Sequence, residues 1–373
     1  MLKNLLRPLR AYTTSLPWKL AAACGLYQGK GTPVSFVIEN ANWAIRWVGE
    51  HIRDEIEALA PSTVSTTTEP QRLAYRLVHF GSQYMWLTWG EHMSRSNRYV
   101  VSFFHGKHSD GSEASRHIDQ FLRSVPRLST IITGASLIEQ RLLAWGVPRE
   151  KLVRIPIGVD TRLFQPPTPE QKQCARVKLG IPDNAVVVGS FQKDGVGWDD
   201  GMEPKLIKGP DIFLRAIKHL VNELPVVVLL TGPARGFVKR GLSRLGVPFI
   251  HRYVKSHAEL VECYHALDLY FVTSREEGGP MGLMESMASG VPVVSTAVGM
   301  APDLIVNGLT GGLVESEDAD GVAEKALHIL SLSESRHDKL KDHALNAVKI
   351  CDWRVVGRQH LEEVYLPLLE NAS

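Results

Sequence analysis

The sequence predicts an α/β fold in two successive doubly wound domains. Three observations carry that prediction. Strand-like apolar runs alternate with amphipathic helical stretches along most of the chain, and a proline-bearing connector near residue 160 divides the alternation into two series. The second series also contains a strand, a turn, a short helix and a strand with a carboxylate on each side of the turn. A chain of 373 residues suits two domains of ordinary size, and 44% hydrophobic residues is enough for each to bury a core.

The first segment, residues 1–30, is basic and leucine-rich: no acidic residue precedes Glu39, while Lys3, Arg7, Arg10, Lys19 and Lys30 are basic and Leu2, Leu5, Leu6 and Leu9 are apolar. Pro8 is expected to interrupt any helix there. Such a segment suits either peripheral contact with an anionic membrane surface or a solvated leader, and it lacks the continuous apolar stretch of a cleaved signal peptide.

Residues 31–160 read as the first domain. It opens with the strand Pro33 to Ile38 and a helix from about Asn42, capped by Asn40 or Asn42, with the stripe Ile45, Val48, Ile52, Ile56 and Leu59. Runs at Tyr84 to Thr88 and Tyr99 to His105 read as β-rich, and those at Ser115 to Ser124 and Leu137 to Trp145 as helical. The stretch Leu152 to Phe164, followed by Pro166-Pro167, reads as the interdomain connection.

Residues 161–352 form the second series: a strand at Ala185 to Phe191, a helix at Asp211 to Glu223, a strand at Pro225 to Thr231, and a helix near Arg235. A strand near Phe249, the helix Ala258 to Ala266 and the strand Leu267 to Val272 follow. Residues 353–373 hold a last helix, Trp353 to about Leu366, with Trp353, Val356, His360 and Val364 on one stripe and Pro367 as its expected stop. Thr66-Thr67-Thr68 is the one low-complexity cluster.

Composition excludes several classes. A net charge of +2, from 42 basic and 40 acidic side chains, does not suit a nucleic-acid binder. Cys24, Cys174, Cys263 and Cys351 are scattered without a CxxC pair, which argues for a reducing compartment and against a zinc site. No run approaches the roughly 20 apolar residues of a membrane span. A cytoplasmic, soluble protein, peripheral at a membrane if the basic segment binds one, is the expectation.

The most informative stretch runs from Ser274 to Pro292. Glu277 and Glu285 are separated by seven residues, Gly278-Gly279-Pro280 follows the first, Pro280 suits the first helical position, and Gly290 with Pro292 is the expected stop. The glycines then lie at an exposed helix N-terminus on the carboxyl edge of a parallel sheet, where outward N–H groups collect anions and polyols. Carboxylates on either side add acceptors for sugar or ribose hydroxyls. Lys208 precedes another helix start, where an ammonium can neutralise a diphosphate, and Gly209 leaves the approach open.

This run, with the turn Gly299 to Gly311, resembles the Glu-x7-Glu motif of retaining glycosyltransferases of the family 4 type. The resemblance implies the two-domain GT-B fold, two Rossmann-like domains facing a central cleft, with the last helix crossing back to the first domain. It implies metal-independent transfer of a sugar from a nucleotide-sugar co-substrate, with no further cofactor, to a glycan or lipid-linked acceptor in polysaccharide or glycoconjugate synthesis. Glu277 would hold the donor sugar and Glu285 the ribose, and Gly278, Gly279 and Met281 would line the helix end, Gly279 and Met281 offering backbone N–H groups. Lys208 matches the family's diphosphate-binding lysine. His105, ending the strand that starts near Tyr99, matches its histidine facing the sugar.

Two departures stand out. Ser190 occupies the place of the family's phosphate-binding arginine, which leaves Lys193 as the candidate for the missing charge. The turn Glu39 to Asn42 lacks the family's glycine pair. A GT-B nucleotide-sugar epimerase and a nucleotide-sugar-binding module without turnover are the rival functions.

Overall fold

The computed structural model describes residues 2–28, 31–41 and 44–370. Lys30, Asn42 and every side chain before Ala11, those of Lys3, Arg7, Arg10 and the four leucines among them, lie outside the described residues. The chain divides into two units: Met1–Ile157 together with Trp353–Ser373, and Gly158–Asp352. Among the described residues no helix is long and apolar enough to cross a membrane.

The first unit is built on a six-stranded parallel sheet in the order β2-β1-β3-β4-β5-β6. Its strands are β1 (Val34–Val37), β2 (Val64–Thr67), β3 (Leu77–Phe80), β4 (Arg98–Ser102), β5 (Thr130–Thr133) and β6 (Leu152–Arg154). Val34 stands between Val64 and Leu77, so β1 is a central strand and is buried along its whole length. The helix Ala44–Leu59 covers one face through Val48, Ile52 and Ile56, and the helix Trp353–Gln359 packs beside it with Trp353 and Val356 in the same core.

Several sequence expectations are corrected here. The run Tyr84 to Thr88 belongs to a helix, Gln83–Trp89, because Ser82 caps it by accepting from Met85 N–H, and Trp86 turns inward to donate from Nε1 to Ser124 Oγ at 2.7 Å. The preceding strand β3 carries His79 into the core, and Thr66 and Thr67 belong to the edge strand β2, where β-branched residues fit the pleat. Pro8 does not break the first helix, which runs Leu2–Ala23. Ala11, Ser15 and Ala22 share its buried stripe, and packing against the Gln83–Trp89 helix outweighs the bonds lost at Pro8 and Pro17.

Nor does Pro367 end the last helix. After Gln359 the backbone widens into a π turn over His360–Tyr365 and continues as Leu366–Glu370, so the helix runs on past Pro367. The widened turn carries functional groups inward. Tyr365 Oη lies 2.7 Å from His79 Nδ1, and His79 Nε2 lies 2.9 Å from Ser102 Oγ. Burial, followed by its histidine neighbour, holds His79 well below the usual imidazole range, and burial lowers His360 to about 4.

The second unit carries another six-stranded parallel sheet, ordered β12-β11-β10-β7-β8-β9. Its strands are β7 (Val186–Ser190), β8 (Val226–Thr231), β9 (Phe249–Arg252), β10 (Leu269–Val272), β11 (Val293–Thr296) and β12 (Gly312–Val314). Val188, Leu230, Phe271 and Val294 meet the helices Pro210–Leu220 and Ala319–Leu330 in one core. The order turns back between β7 and β10, which makes the carboxyl ends of those two strands the switch point where open α/β sheets bind ligands. Where the chain enters and leaves this unit, Val159 N–H donates to Cys351 C=O at 2.7 Å and Thr161 Oγ1 to the Asp352 carboxylate.

Candidate functional site

The switch point of the second unit is assembled by a tight backbone crossing. Gly209, at φ 60°, caps the helix Pro210–Leu220, and a Cβ there would lie 1.7 Å from Thr273 C=O, just beyond β10. Only glycine allows the approach, and Thr273 Oγ1 locks it by donating to Gly209 C=O at 2.9 Å. The crossing brings Lys208 to Glu277, with Nζ 2.5 Å from Oε1. Ser274 Oγ donates to the same oxygen at 2.8 Å, and Gln192 Nε2 holds Lys208 C=O at 3.0 Å. An ammonium and a carboxylate thus sit side by side at the sheet edge, both mostly buried and both supported by neutral groups.

The helix that follows begins at Met281, one residue later than the sequence suggested, because Pro280 keeps an extended ψ of 105° and serves as its N-cap. Gly278 and Gly279 form the approach to that end. The first N–H groups of the helix, Met281 among them, have no intrahelical partner. Glu285 lies further along this helix and is 6% exposed. Its Oε2 accepts from Tyr264 Oη at 2.8 Å, in a setting where the Phe191 ring meets those of Tyr264 and Tyr270. Burial raises its carboxyl to about 7, against the opposing effect of the Tyr264 hydrogen bond.

Lys193 is not aimed at the Lys208–Glu277 pair; its ammonium lies 3.9 Å from the centre of the Trp198 ring. Lys205 stands nearby, and partial desolvation followed by the ammonium groups of Lys208 and Lys193 pushes its pKa down. Sequence reasoning missed Arg235 altogether. Its guanidinium is fully buried beneath Ser190, donating from Nη1 to the Ser190 and Thr231 carbonyls at 2.6 and 2.9 Å and from Nη2 to Ser190 Oγ at 3.2 Å. Asp194 Oδ2 faces it at 3.0 Å. A cation does stand at the end of β7, but it comes from the turn after β8.

In the first unit, His105 follows the carboxyl end of β4. Buried Gln83 pins this turn from both sides: its Nε2 donates to His105 C=O at 3.0 Å and its Oε1 accepts from Phe104 N–H at 3.3 Å. Tyr84, from the same helix, stacks on His117 with ring centres 4.2 Å apart. Among the described residues no cluster of His, Cys, Asp and Glu is arranged to hold a metal ion.

The fold of this chain has counterparts among known proteins. Residues 201–332 match the family described as Glycosyl transferases group 1. HepE of Anabaena, solved in complex with UDP, superposes with a TM-score of 0.72 at 17% identity, covering 89% of this chain and 99% of HepE. The fold is GT-B. A D-inositol 3-phosphate glycosyltransferase of Corynebacterium aurimucosum is 33% identical over 230 residues, 58% of this chain and 51% of that protein. A GDP-mannose-dependent monoacylated alpha-(1-6)-phosphatidylinositol monomannoside mannosyltransferase of Corynebacterium glutamicum is 27% identical over 222 residues, 56% of this chain and 51% of that one. The chain spans about half the length of these curated relatives. The family match includes Lys208, Glu277 and Glu285 and begins after Ser190 and Lys193, so the departure at β7 lies outside it.

Proposed function

We propose that the protein is a retaining glycosyltransferase of the family 4 type that takes its sugar from a nucleotide-sugar. The observation that carries this reading is the Lys208–Glu277 pair at the β7/β10 switch point, on the same glycine-led helix start that leads to buried Glu285. Glu285 accepts the ribose hydroxyls, Glu277 the hydroxyls of the sugar, and the Gly279 and Met281 N–H groups face the phosphates. As the bond from the anomeric carbon to the diphosphate lengthens, negative charge grows on the departing oxygen. Lys208 and the helix end stabilise that charge, which lowers the barrier because the interaction is stronger in the transition state than in the bound donor. A contact of His105 with the sugar rests on the family resemblance alone. Metal independence and retention rest on the Glu-x7-Glu resemblance.

The names of the relatives supply the substrates to try first. UDP-glucose and GDP-mannose are the donors, and D-inositol 3-phosphate and a phosphatidylinositol mannoside are the acceptors. A bound ligand raises the unfolding temperature by mass action, so thermal shifts select the donor, and NMR of the product's anomeric proton reports transfer and stereochemistry. If no nucleotide-sugar stabilises the protein, the reading is lost. Isomerisation of the donor without an acceptor would replace it with an epimerase.

A further inference from the structure

The loop 193–208 carries Lys193, Lys205 and Lys208, and its anchorage is unusual. Asp194, its second residue, sends a carboxylate inward that is 1% exposed and faces a fully buried guanidinium. A buried ion pair of this kind contributes little net stability, because desolvation of both charges offsets their attraction. Here burial keeps the Asp194 carboxyl raised despite Arg235, and Asp194 Oδ1 and Arg235 Nε have no hydrogen-bond partner among the described residues. So costly an arrangement calls for a reason other than stability.

The contacts supply one. Asp194 C=O accepts from Lys205 N–H at 2.7 Å, and Lys205 C=O accepts from Lys208 N–H at 2.8 Å. Lys208 Nζ then reaches Glu277. On the other side, Arg235 grips the carbonyl and hydroxyl of Ser190. The far part of the loop is fixed to the same turn, since Gly236 N–H donates to Asp200 C=O at 2.6 Å and Phe237 N–H to Gly201 C=O at 2.9 Å. The end of β7, the turn after β8 and the lysine-bearing loop therefore share one buried charge pair.

We propose that Arg235, paired with Asp194, is a positioning residue of the diphosphate subsite: it replaces the strand-end arginine not as a phosphate ligand but by holding the loop that presents Lys205 and Lys208 to the phosphates. The inference rests on the glycosyltransferase reading of this site. It predicts a selective defect. Loosening the pair leaves the Glu285 end intact and disturbs only the ammonium groups, so affinity for a nucleoside diphosphate falls while affinity for the nucleoside does not.

The test compares full-length Asp194→Asn and Arg235→Lys with Lys208→Ala, using UDP and GDP by calorimetry and uridine and guanosine by NMR titration. The expected result is a loss of about tenfold or more in diphosphate affinity, the scale of one displaced charge-assisted hydrogen bond, with nucleoside affinity unchanged. Should the single variants fail to fold, the double Asp194→Leu/Arg235→Met variant removes both charges at once and is measured instead. If Lys208→Ala is impaired while folded pair variants bind diphosphate like the parent, or lose nucleoside affinity equally, the positioning role is overturned and the site reading stands. If Lys208→Ala itself binds diphosphate normally, both fall.

Discussion

Glu285 is half protonated near neutral pH, since burial raises its carboxyl to about 7. Ribose hydroxyls donate to the ionised form, so nucleotide binding must draw the proton off. Affinity for the nucleoside diphosphate is therefore expected to rise between pH 6 and pH 8 and to release protons, which calorimetry in buffers of different ionisation enthalpy detects. Glu285→Gln should bind more weakly and lose this pH dependence; an unchanged profile removes Glu285 from the ribose. Glu277 differs in kind, because its carboxylate already holds Lys208 and Ser274. Glu277→Ala should lower turnover by at least about tenfold while diphosphate affinity holds or rises, as Lys208 is freed to pair with phosphate. Steady-state rates with the donor and calorimetry with the diphosphate separate the two effects.

At the scale of elements, the crossing of Gly209 over Thr273 fixes the geometry of the β7/β10 switch point. Gly209→Ala would drive a Cβ into a backbone carbonyl at a positive φ, and we expect a stability loss of more than about 2 kcal/mol, read from denaturant unfolding, together with loss of diphosphate binding. Much of this layer was legible in the sequence. The β7 to β11 series and the placing of Lys208, Glu277 and Glu285 followed from apolar runs, glycines and the seven-residue spacing, all of them local signals. The helix Gln83–Trp89 was not legible, because its aromatic residues favour strands and its start depends on one serine cap. Pro8 and Pro367 misled for the opposite reason: packing and a widened turn overrode a strong local rule. Arg235 gave no signal at all, since Ser190 and Asp194 are its neighbours only in space.

For the whole molecule, the deeply buried groups of the two units act on stability in opposite senses with pH, while the partly buried His251, His265 and His337 of the second unit act with the first. His79 and His360 are buried with lowered pKa values, so the unfolded chain binds more protons below its ordinary value of 6.5, and the first unit loses stability as pH falls from there toward about 4. Glu285 acts the other way: its raised pKa weakens the second unit as pH rises from 4.5 toward about 7. Hydrogen exchange at pH 7 and pH 5 should show protection in β3 and β4 falling with acid while β7 and β10 keep theirs. Uniform loss across both sheets would contradict this division.

The discontinuity of the first unit also bears on how the chain is made. Its core takes Trp353, Val356, Val364 and Tyr365 from the end of the sequence, whereas the second unit is one unbroken segment. On the ribosome the second unit can complete its sheet first. The first, although synthesised earlier, waits with His79 Nδ1 lacking its partner and its apolar face uncovered until Tyr365 emerges. A chain stopped at Asp352 should keep a folded second unit beside an unprotected first one, which limited proteolysis resolves. The last helix is in effect what completes a domain begun more than three hundred residues earlier.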